Sequence, residues 1–316
     1  MAKAPLTRLA PSPTGALHLG NARSFLINWA MARRNGWGIA LRIEDLDTPR
    51  VKAGADLQAL DDLRWLGVDW DEGPYWQKRE MGPYTRALAS LRERGLVYAC
   101  RCSRREIDAA ASAPHAEDHE QRYPGLCRDL GLPLDASNAL RLRTPPGVVS
   151  FDDSFAGPQS VDVQASVGDF VLWTKAGLPA YQLAVVVDDA RQGVTQVVRG
   201  DDLLGSTGRQ IWLYRLLGLG SPPRYTHLPL VCGPDGRRLA KRHGDTRLAS
   251  LREAGVAAEA VVGLVAWWSG LVERPEAMDS RGFLDRFDLE RVPRAPVTCD
   301  AAAMDELRSL SARACR

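Results

Sequence analysis

Residues Leu6–Asn35 read LTRLAPSPTGALHLGNARSFLINWAMARRN, and the fold is decided in this stretch. Leu6 to Ala10 reads as a short buried strand. The turn-rich Pro11-Ser12-Pro13-Thr14-Gly15 breaks it. A helical pattern then runs from about Gly20 to Asn35, with Phe25, Leu26, Trp29 and Ala30 at helical spacing. Gly36 stops that helix, and Ile39 to Glu44 supplies a second strand. Strand, loop, helix and strand in that order are the seed of a parallel sheet.

Outward from this unit, helices are predicted over 54–66 and 80–95. From about 97 to 160 the composition changes to cysteines, a polar stretch (Ser112 to Gln121) and Pro- and Gly-rich segments, which reads as an insertion. Strand-like runs return at Phe170–Thr174, Ala184–Asp188 and Gln196–Arg199, followed by a helix over 206–217. Leu228 to Cys232 reads as a further strand leading into a turn at Gly233-Pro234-Asp235-Gly236. After about 246 the pattern is helical, with Val261, Leu264, Val265 and Trp268 on one face; Trp267 and Trp268 are expected to pack, not to act. The expected class is α/β with a Rossmann-like parallel sheet. The expected division is 1–96 as the first half of a nucleotide-binding catalytic domain, 97–160 as an inserted subdomain, 161–246 as the second half, and 247–316 as a short helical C-terminal region.

With 316 residues, 45% hydrophobic and 25% charged, the chain has room for one large or two modest globular domains. The apolar run Ala257–Leu271 is too short to span a bilayer, and Met1 to Arg8 has no apolar signal core. A cytoplasmic protein with no membrane partner is therefore expected. A formal charge of +2 leaves any nucleic-acid ligand to a local basic face. Of six cysteines, Cys100, Cys102 and Cys127 lie close together while Cys232, Cys299 and Cys315 are scattered. That distribution favours a metal site over disulfides.

Two loops carry candidate chemistry. Between strand and helix, Ala10 to Asn21 would expose backbone amides and the positive end of the helix dipole, which suits a triphosphate. His18 falls at the helix start. Taken alone it could be an incidental surface histidine. The second loop, Arg237-Arg238-Leu239-Ala240-Lys241-Arg242-His243-Gly244, clusters cations that could offset charge on a departing pyrophosphate. Taken alone it could be a solvated basic loop. Both are expected to follow strands of one sheet, and in a doubly wound sheet such loops converge at the carboxyl edge where ligands bind.

These residues carry a resemblance. Arg8 to Asn21 resembles the HIGH-type signature of class I aminoacyl-tRNA synthetases in its glutamyl-branch form, and Arg238 to Arg242 occupies the place of the KMSKS-type signature. Between them, Arg42–Arg50, Trp70–Tyr75, Tyr181–Asp189 and Val198–Leu203 also look like glutamyl-branch segments, in the family's order from Leu6 to about Thr246. The resemblance implies ATP-dependent activation of L-glutamate to an adenylate. Arg8 and Arg199 would hold carboxylates, which a guanidinium matches bidentately. Glu44 would take the ammonium and Tyr181 the side-chain carboxylate, with Ser12 and the Ala10 backbone assisting. ATP would lie against Pro11, Thr14, Gly15, His18, Gly20, Asn21, Arg238 and Lys241, with Mg²⁺ bridging its phosphates. His18 and Lys241 would serve catalysis by holding phosphates and steadying the leaving group. The signature departs from its usual form at Arg238, where lysine is usual, and at Ala240, where serine is usual.

Cys100-x-Cys102 followed by Tyr123-x-x-x-Cys127 resembles the zinc-binding insertion of many glutamyl-branch enzymes. The implied site is structural Zn²⁺ held by Cys100, Cys102, Tyr123 and Cys127, with Asp129, His115 and His119 as rivals for the fourth ligand. Complete glutamyl-tRNA synthetases continue into a long anticodon-reading region, whereas about 70 residues follow the basic loop here. Val185 stands where those enzymes are expected to carry asparagine. Both features resemble the shortened members of the branch, which attach glutamate to the queuosine base of tRNA(Asp). The implied partners are L-glutamate and queuosine-containing tRNA(Asp), bound by a monomer. Two alternatives remain: a short synthetase that charges a tRNA 3′ end, and an inactive paralogue that binds tRNA or protein. The presence of Arg8, His18, Glu44, Arg199 and Lys241 argues against the last.

Overall fold

The computed structural model describes residues 4–47, 50–110, 122–239 and 245–314. In chain order its elements begin with β1 (Leu6–Leu9), α1 (Leu19–Arg34), β2 (Gly38–Ile43), α2 (Ala55–Trp65), β3 (Glu72–Trp76), α3 (Gly82–Glu93) and β4 (Val97–Cys100). There follow α4 (Arg104–Ala110), β5 (Ala139–Leu142), β6 (Val148–Asp153), β7 (Gly157–Asp162), α5 (Val163–Ser166), β8 (Val171–Trp173) and α6 (Tyr181–Gln192). The remainder is β9 (Gln196–Gly200), α7 (Thr207–Leu217), β10 (Arg224–Leu228), β11 (Val231–Cys232), α8 (Leu248–Glu253), α9 (Ala258–Trp268), α10 (Ser280–Arg286), β12 (Val297–Thr298) and α11 (Ala301–Ala314). Two compact units divide the chain: 1–77, 194–203 and 224–316 form the first, and 78–193 with 204–223 form the second.

The first unit is the α/β unit that the opening sequence announces. Strands β1, β2 and β3 form a parallel sheet, with Leu6 opposite Gly38 and Leu9 opposite Leu41. Strand β9 lies beside β1: the Thr195 amide donates to the Leu6 carbonyl at 2.9 Å, and the Leu6 amide donates to Thr195 Oγ1 at 3.1 Å. Strand β10 pairs with β9 in parallel. Every residue of β1 and all but the first of β2 are buried, as strands covered on both faces must be, which explains their apolar runs. Helix α1 is fixed to β1 by Asn28, whose amide donates to the Arg8 carbonyl at 3.0 Å and accepts from Thr7 Oγ1 at 2.9 Å. C-terminal helices complete the unit. In α9 the run Ala260–Ala266 is wholly buried, and Gly263 is required because a Cβ there would strike the Glu276 carbonyl. Trp268 is buried, as a packing residue would be, whereas Trp267 is exposed.

The second unit is built on an antiparallel sheet in the order β4-β5-β8, a β6–β7 hairpin, and helices α3, α6 and α7. Its buried carboxylate Asp188 accepts from Tyr84 Oη at 2.8 Å and from Arg191 Nε at 2.8 Å. Among the described residues no helix is long and apolar enough to cross a membrane.

Two strand expectations are corrected. Ala184–Asp188 is the middle of helix α6, not a strand. Gln182 to Asp189 are buried without a break, so the segment shows neither alternation nor a polar face, and a short apolar run of this kind fits a buried helix equally well. Gly193, at φ 75°, ends the helix. The expected strand Leu228–Cys232 is displaced as well. The ladder strand β10 comes earlier and ends before Pro229, and β11 pairs with β12. The basic loop therefore does not follow a strand of the β1 sheet.

Candidate active site

Helix α1 begins at a cap made by its own histidine. His18 has extended backbone (φ −124°, ψ 172°), its Nδ1 accepts from the Gly20 amide at 3.1 Å, and its amide donates to Asn21 Oδ1 at 3.0 Å. Gly20 packs closely on this cap, since a Cβ there would sit 3.0 Å from His18 Cε1. An accepting Nδ1 leaves the proton of a neutral ring on Nε2. Burial, and after it the charge of Arg238, lowers the His18 pKa to about 4, so the ring is neutral near pH 7. At Gly15 a Cβ would meet nothing within 4 Å, so the loop backbone is open to close approach.

The segment that follows the second loop reaches the first, through a connection not expected from the sequence. The Leu19 amide donates to the Thr246 carbonyl at 3.0 Å, and the Leu248 amide donates to the Leu17 carbonyl at 2.8 Å. His18 and Arg247 form an antiparallel bridge between them. On the approaching side, the turn at Gly233–Gly236 returns the chain so that Arg238 bridges Cys232, and Arg238 Nη1 pairs with Asp202 at 2.6 Å. Helix α1 is also tied to the segment before β11, where the buried Arg23 donates from Nη1 to the Pro229 carbonyl at 2.6 Å. Burial, opposed by Asp201, lowers the Arg23 pKa to about 10. Ala240, Lys241 and Arg242 lie outside the described residues.

The residues of the first unit expected to hold the amino acid lie towards the carboxyl ends of β1, β2 and β9. Arg8 is buried in β1, and its Nη1 donates to the Val198 carbonyl of β9 at 3.3 Å. Glu44 follows β2. Its amide donates to the Pro11 carbonyl at 3.0 Å, and its carbonyl accepts from Ser12 Oγ at 3.2 Å. These bonds lace Pro11 and Ser12, just after Ala10, to the acid that follows β2. Thr14 and Gly15 continue the same loop, half-buried. Arg199, near the end of β9, is buried and donates from Nε to His227 Nε2 at 2.9 Å. Arg8, Glu44 and Arg199 thus stand on β1, after β2 and on β9 of one unit. Tyr181 belongs to the second unit, at the start of α6 and 37% exposed.

Three partners of this pocket were missed from sequence. Arg42 is fully buried and pairs through Nη2 with Glu44 Oε1 at 3.1 Å. His227 holds Arg199, and Asp202 holds Arg238. Arg42 and Asp202 lie inside the segments quoted for the resemblance, but residue type alone does not announce burial or pairing.

The second unit contains the metal candidate. The Sγ atoms of Cys100, Cys102 and Cys127 lie within 4.8 Å of one another, with Cys102 and Cys127 at 3.4 Å. Thiolates about 2.3 Å from a tetrahedral zinc stand about 3.8 Å apart, so the set fits zinc with little movement. Tyr123 Oη lies beside them, 3.4 Å from Cys100 Sγ and 3.8 Å from Cys102 Sγ, and accepts from the Cys127 amide at 2.9 Å. Asp129 points away, 87% exposed and paired with Arg143. His115 and His119 lie outside the described residues. Arg141 lies 3.7 Å over the Tyr123 ring. Burial raises the Cys100 pKa, but hydrogen bonds from Tyr123 and Arg141 outweigh it, and the net shift is downward. Burial and Cys127 push Cys102 up to about 11. A cavity of about 840 Å³ in this unit is lined by Cys100, Cys102, Tyr123, Arg141, Tyr181 and Gln182 among others. Val185, one turn further along α6, is buried.

The family model for class I tRNA synthetases (E and Q), catalytic domain, matches residues 6–306. A protein of Symbiobacterium thermophilum named Glutamyl-Q tRNA(Asp) synthetase is 48% identical over 95% of this chain and 97% of its own length. One of Nitratidesulfovibrio vulgaris with the same name is 42% identical over 97% of this chain and 99% of its own. Among solved structures, a glutamate-tRNA synthetase from Elizabethkingia anophelis aligns with a TM-score of 0.80 at 26% identity, covering 96% of this chain and 70% of that one.

Proposed function

This chain belongs to the class I tRNA synthetases (E and Q), and we propose that within this family it activates L-glutamate with ATP and transfers the glutamyl group to the queuosine base of tRNA(Asp). The junction of Leu17–Leu19 with Thr246–Leu248 carries the first half of this reading, because it sets the segment flanking the basic loop against the start of α1, where Arg238 also acts on His18. Identity to relatives named for the queuosine reaction, extending along nearly their whole length, supports the second half.

In the activation step a glutamate carboxylate oxygen bonds to the α-phosphorus of ATP, and the bond from that phosphorus to the bridging oxygen breaks, releasing pyrophosphate. The chain's work is alignment and charge neutralisation, with no side-chain nucleophile. Arg8 and Arg199 grip the carboxylates of glutamate, Glu44 takes its ammonium, and Tyr181 donates to its side-chain carboxylate, with Ser12 and the Ala10 backbone assisting. Arg42, buried beside Glu44, pairs with that acid and keeps it aimed. Pro11, Thr14, Gly15, Gly20 and Asn21 line the nucleotide with the amides of the α1 start. Neutral His18 donates its Nε2 proton to a phosphate oxygen without adding charge to the site. Arg238 and Lys241 offset the negative charge of the leaving pyrophosphate. Mg²⁺, which ATP brings, neutralises phosphate oxygens. Transfer follows when the acceptor attacks the acyl carbon and AMP departs.

Cys100, Cys102, Tyr123 and Cys127 would hold a zinc ion whose role is structural, pinning the segment around it. We assign 97–160 as the inserted subdomain between catalytic halves 1–96 and 161–246, with 247–316 as the helical C-terminal region, and the enzyme as a cytoplasmic monomer.

The test is an acceptor comparison. Labelled glutamate is offered with ATP to tRNA(Asp) with and without queuosine, and to tRNA(Glu). Label that requires queuosine and persists on tRNA(Asp) trimmed of its 3′-terminal adenosine supports the proposal. Label on tRNA(Glu) that periodate abolishes indicates 3′-end charging. No label on any tRNA indicates the inactive paralogue.

A further inference from the structure

On the glutamate-activating reading above, we infer that His227 is a positioning residue that dictates how Arg199 grips a carboxylate. The parallel register of β9 and β10 sets His227 directly opposite Arg199. Both side chains are buried, His227 to 1% and Arg199 to 6% exposure. The contact is a hydrogen bond from Arg199 Nε to His227 Nε2 at 2.9 Å. A guanidinium can only donate, so His227 Nε2 must present its lone pair and the ring must be held as the other tautomer. Tyr225, two residues earlier on the same strand, stacks against the imidazole with centroids 6.1 Å apart and planes 17° from parallel. The Arg199 Cζ lies 5.4 Å over the same Tyr225 ring. Arg199 Nη2 also reaches the Leu203 carbonyl at 3.4 Å.

The consequence is one of shape. An arginine can meet a carboxylate side-on, through Nε and one Nη, or end-on, through both Nη atoms. Committing Nε to His227 excludes the side-on mode and fixes rotation about the Cδ–Nε bond. Glutamate must then approach Arg199 end-on, along the axis of the side chain. A buried histidine whose sole role was to fill space would not need its acceptor nitrogen matched to that donor. His227 therefore acts on substrate recognition through Arg199, not on the phosphates.

Glutamate-dependent ATP–pyrophosphate exchange by the full chain tests this, with KM measured separately for glutamate and ATP. In His227→Leu the acceptor is gone and the guanidinium is released. KM for glutamate should rise about 10-fold or more, by the cost of an unmatched buried donor, while KM for ATP stays within about twofold. In His227→Gln the amide oxygen can accept from Nε, and most of the glutamate affinity should return. Should His227→Leu fail to fold, His227→Asn, whose shorter amide falls short of Nε, should show the same glutamate-selective loss relative to His227→Gln. A parallel rise in both KM values, or an unchanged glutamate KM in His227→Leu or His227→Asn, overturns the inference while leaving glutamate activation intact. Wild-type protein with no glutamate-dependent exchange would remove the reading of Arg199, and this inference with it.

Discussion

Acidification should cost this protein stability through one imidazole, and the amount reports that ring's burial first and the nearness of Arg238 second. His18 caps α1 and has its pKa lowered to about 4 from an ordinary 6.5, first by burial and then by the charge of Arg238. A depressed folded value means that the unfolded chain takes up the proton first. Above about pH 6.5 both states are neutral and nothing is lost. Stability then falls as the pH drops through the window from about 6.5 to about 4, below which the loss is complete. At about 1.36 kcal/mol per unit the full window is worth at most about 3.4 kcal/mol, and about 2 kcal/mol has gone by pH 5. The ring is partly exposed, and solvent screening brings the expectation at pH 5 to about 1 kcal/mol. Urea unfolding of wild type and His18→Asn, each at about pH 7.5 and pH 5, isolates this amount, because asparagine keeps a capping oxygen but cannot titrate. The wild-type advantage over His18→Asn should shrink by about 1 kcal/mol on acidification. Arg238→Gln should raise the His18 pKa, followed by NMR, because a cation more than 200 residues away in sequence no longer opposes its protonation. A pH-independent advantage, or a His18 titration indifferent to Arg238→Gln, would refute the reasoning.

Further outcomes are expected. Arg199→Ala should abolish glutamate-dependent exchange almost completely, and unchanged glutamate affinity in that variant would remove Arg199 from the pocket. Gly168 adopts φ 75°, and a Cβ there would press on the Tyr123 carbonyl, so Gly168→Ala should destabilise the protein by at least about 1–2 kcal/mol in urea and weaken any bound metal. Metal analysis of purified protein should find zinc near stoichiometry, and Cys100→Ser should lose it while retaining much of the exchange activity. Gly263→Ala should prove among the most disruptive single-methyl additions, read as a loss of soluble or cooperatively folding protein, since the added carbon would meet backbone and not a movable side chain.

Much of the first unit was legible because its signals are local. The β1–α1–β2 order follows from an apolar run, a Pro/Gly break, a helical period and a terminal glycine, and each was visible in the chain. The cysteine trio was legible from spacing, and the structure brings all three sulfurs and the Tyr123 hydroxyl together. What failed was decided by tertiary cover. Segment 182–189 is buried all round as a helix, and a run of valines with no exposed face carries no period. Strand β10 was overlooked because Arg224, Thr226 and His227 are polar, yet Thr226 and His227 are buried. The approach of one loop to the other was anticipated, but for a different reason. It depends on backbone hydrogen bonds between Leu17–Leu19 and Thr246–Leu248, which no residue type encodes. His227 was invisible for the same cause, since its role comes from the strand opposite, and Arg42 because its burial beside Glu44 is not written in residue type.

Isotope exchange between pyrophosphate and ATP, run with the unmutated chain and each candidate amino acid in turn, goes straight to whether these loops and guanidinium groups serve one reaction. Exchange that appears with L-glutamate and remains at background with aspartate, glutamine or no amino acid is the predicted result. Exchange that is indifferent to glutamate, or absent with every amino acid in the presence of tRNA(Asp) and Mg²⁺, would contradict it.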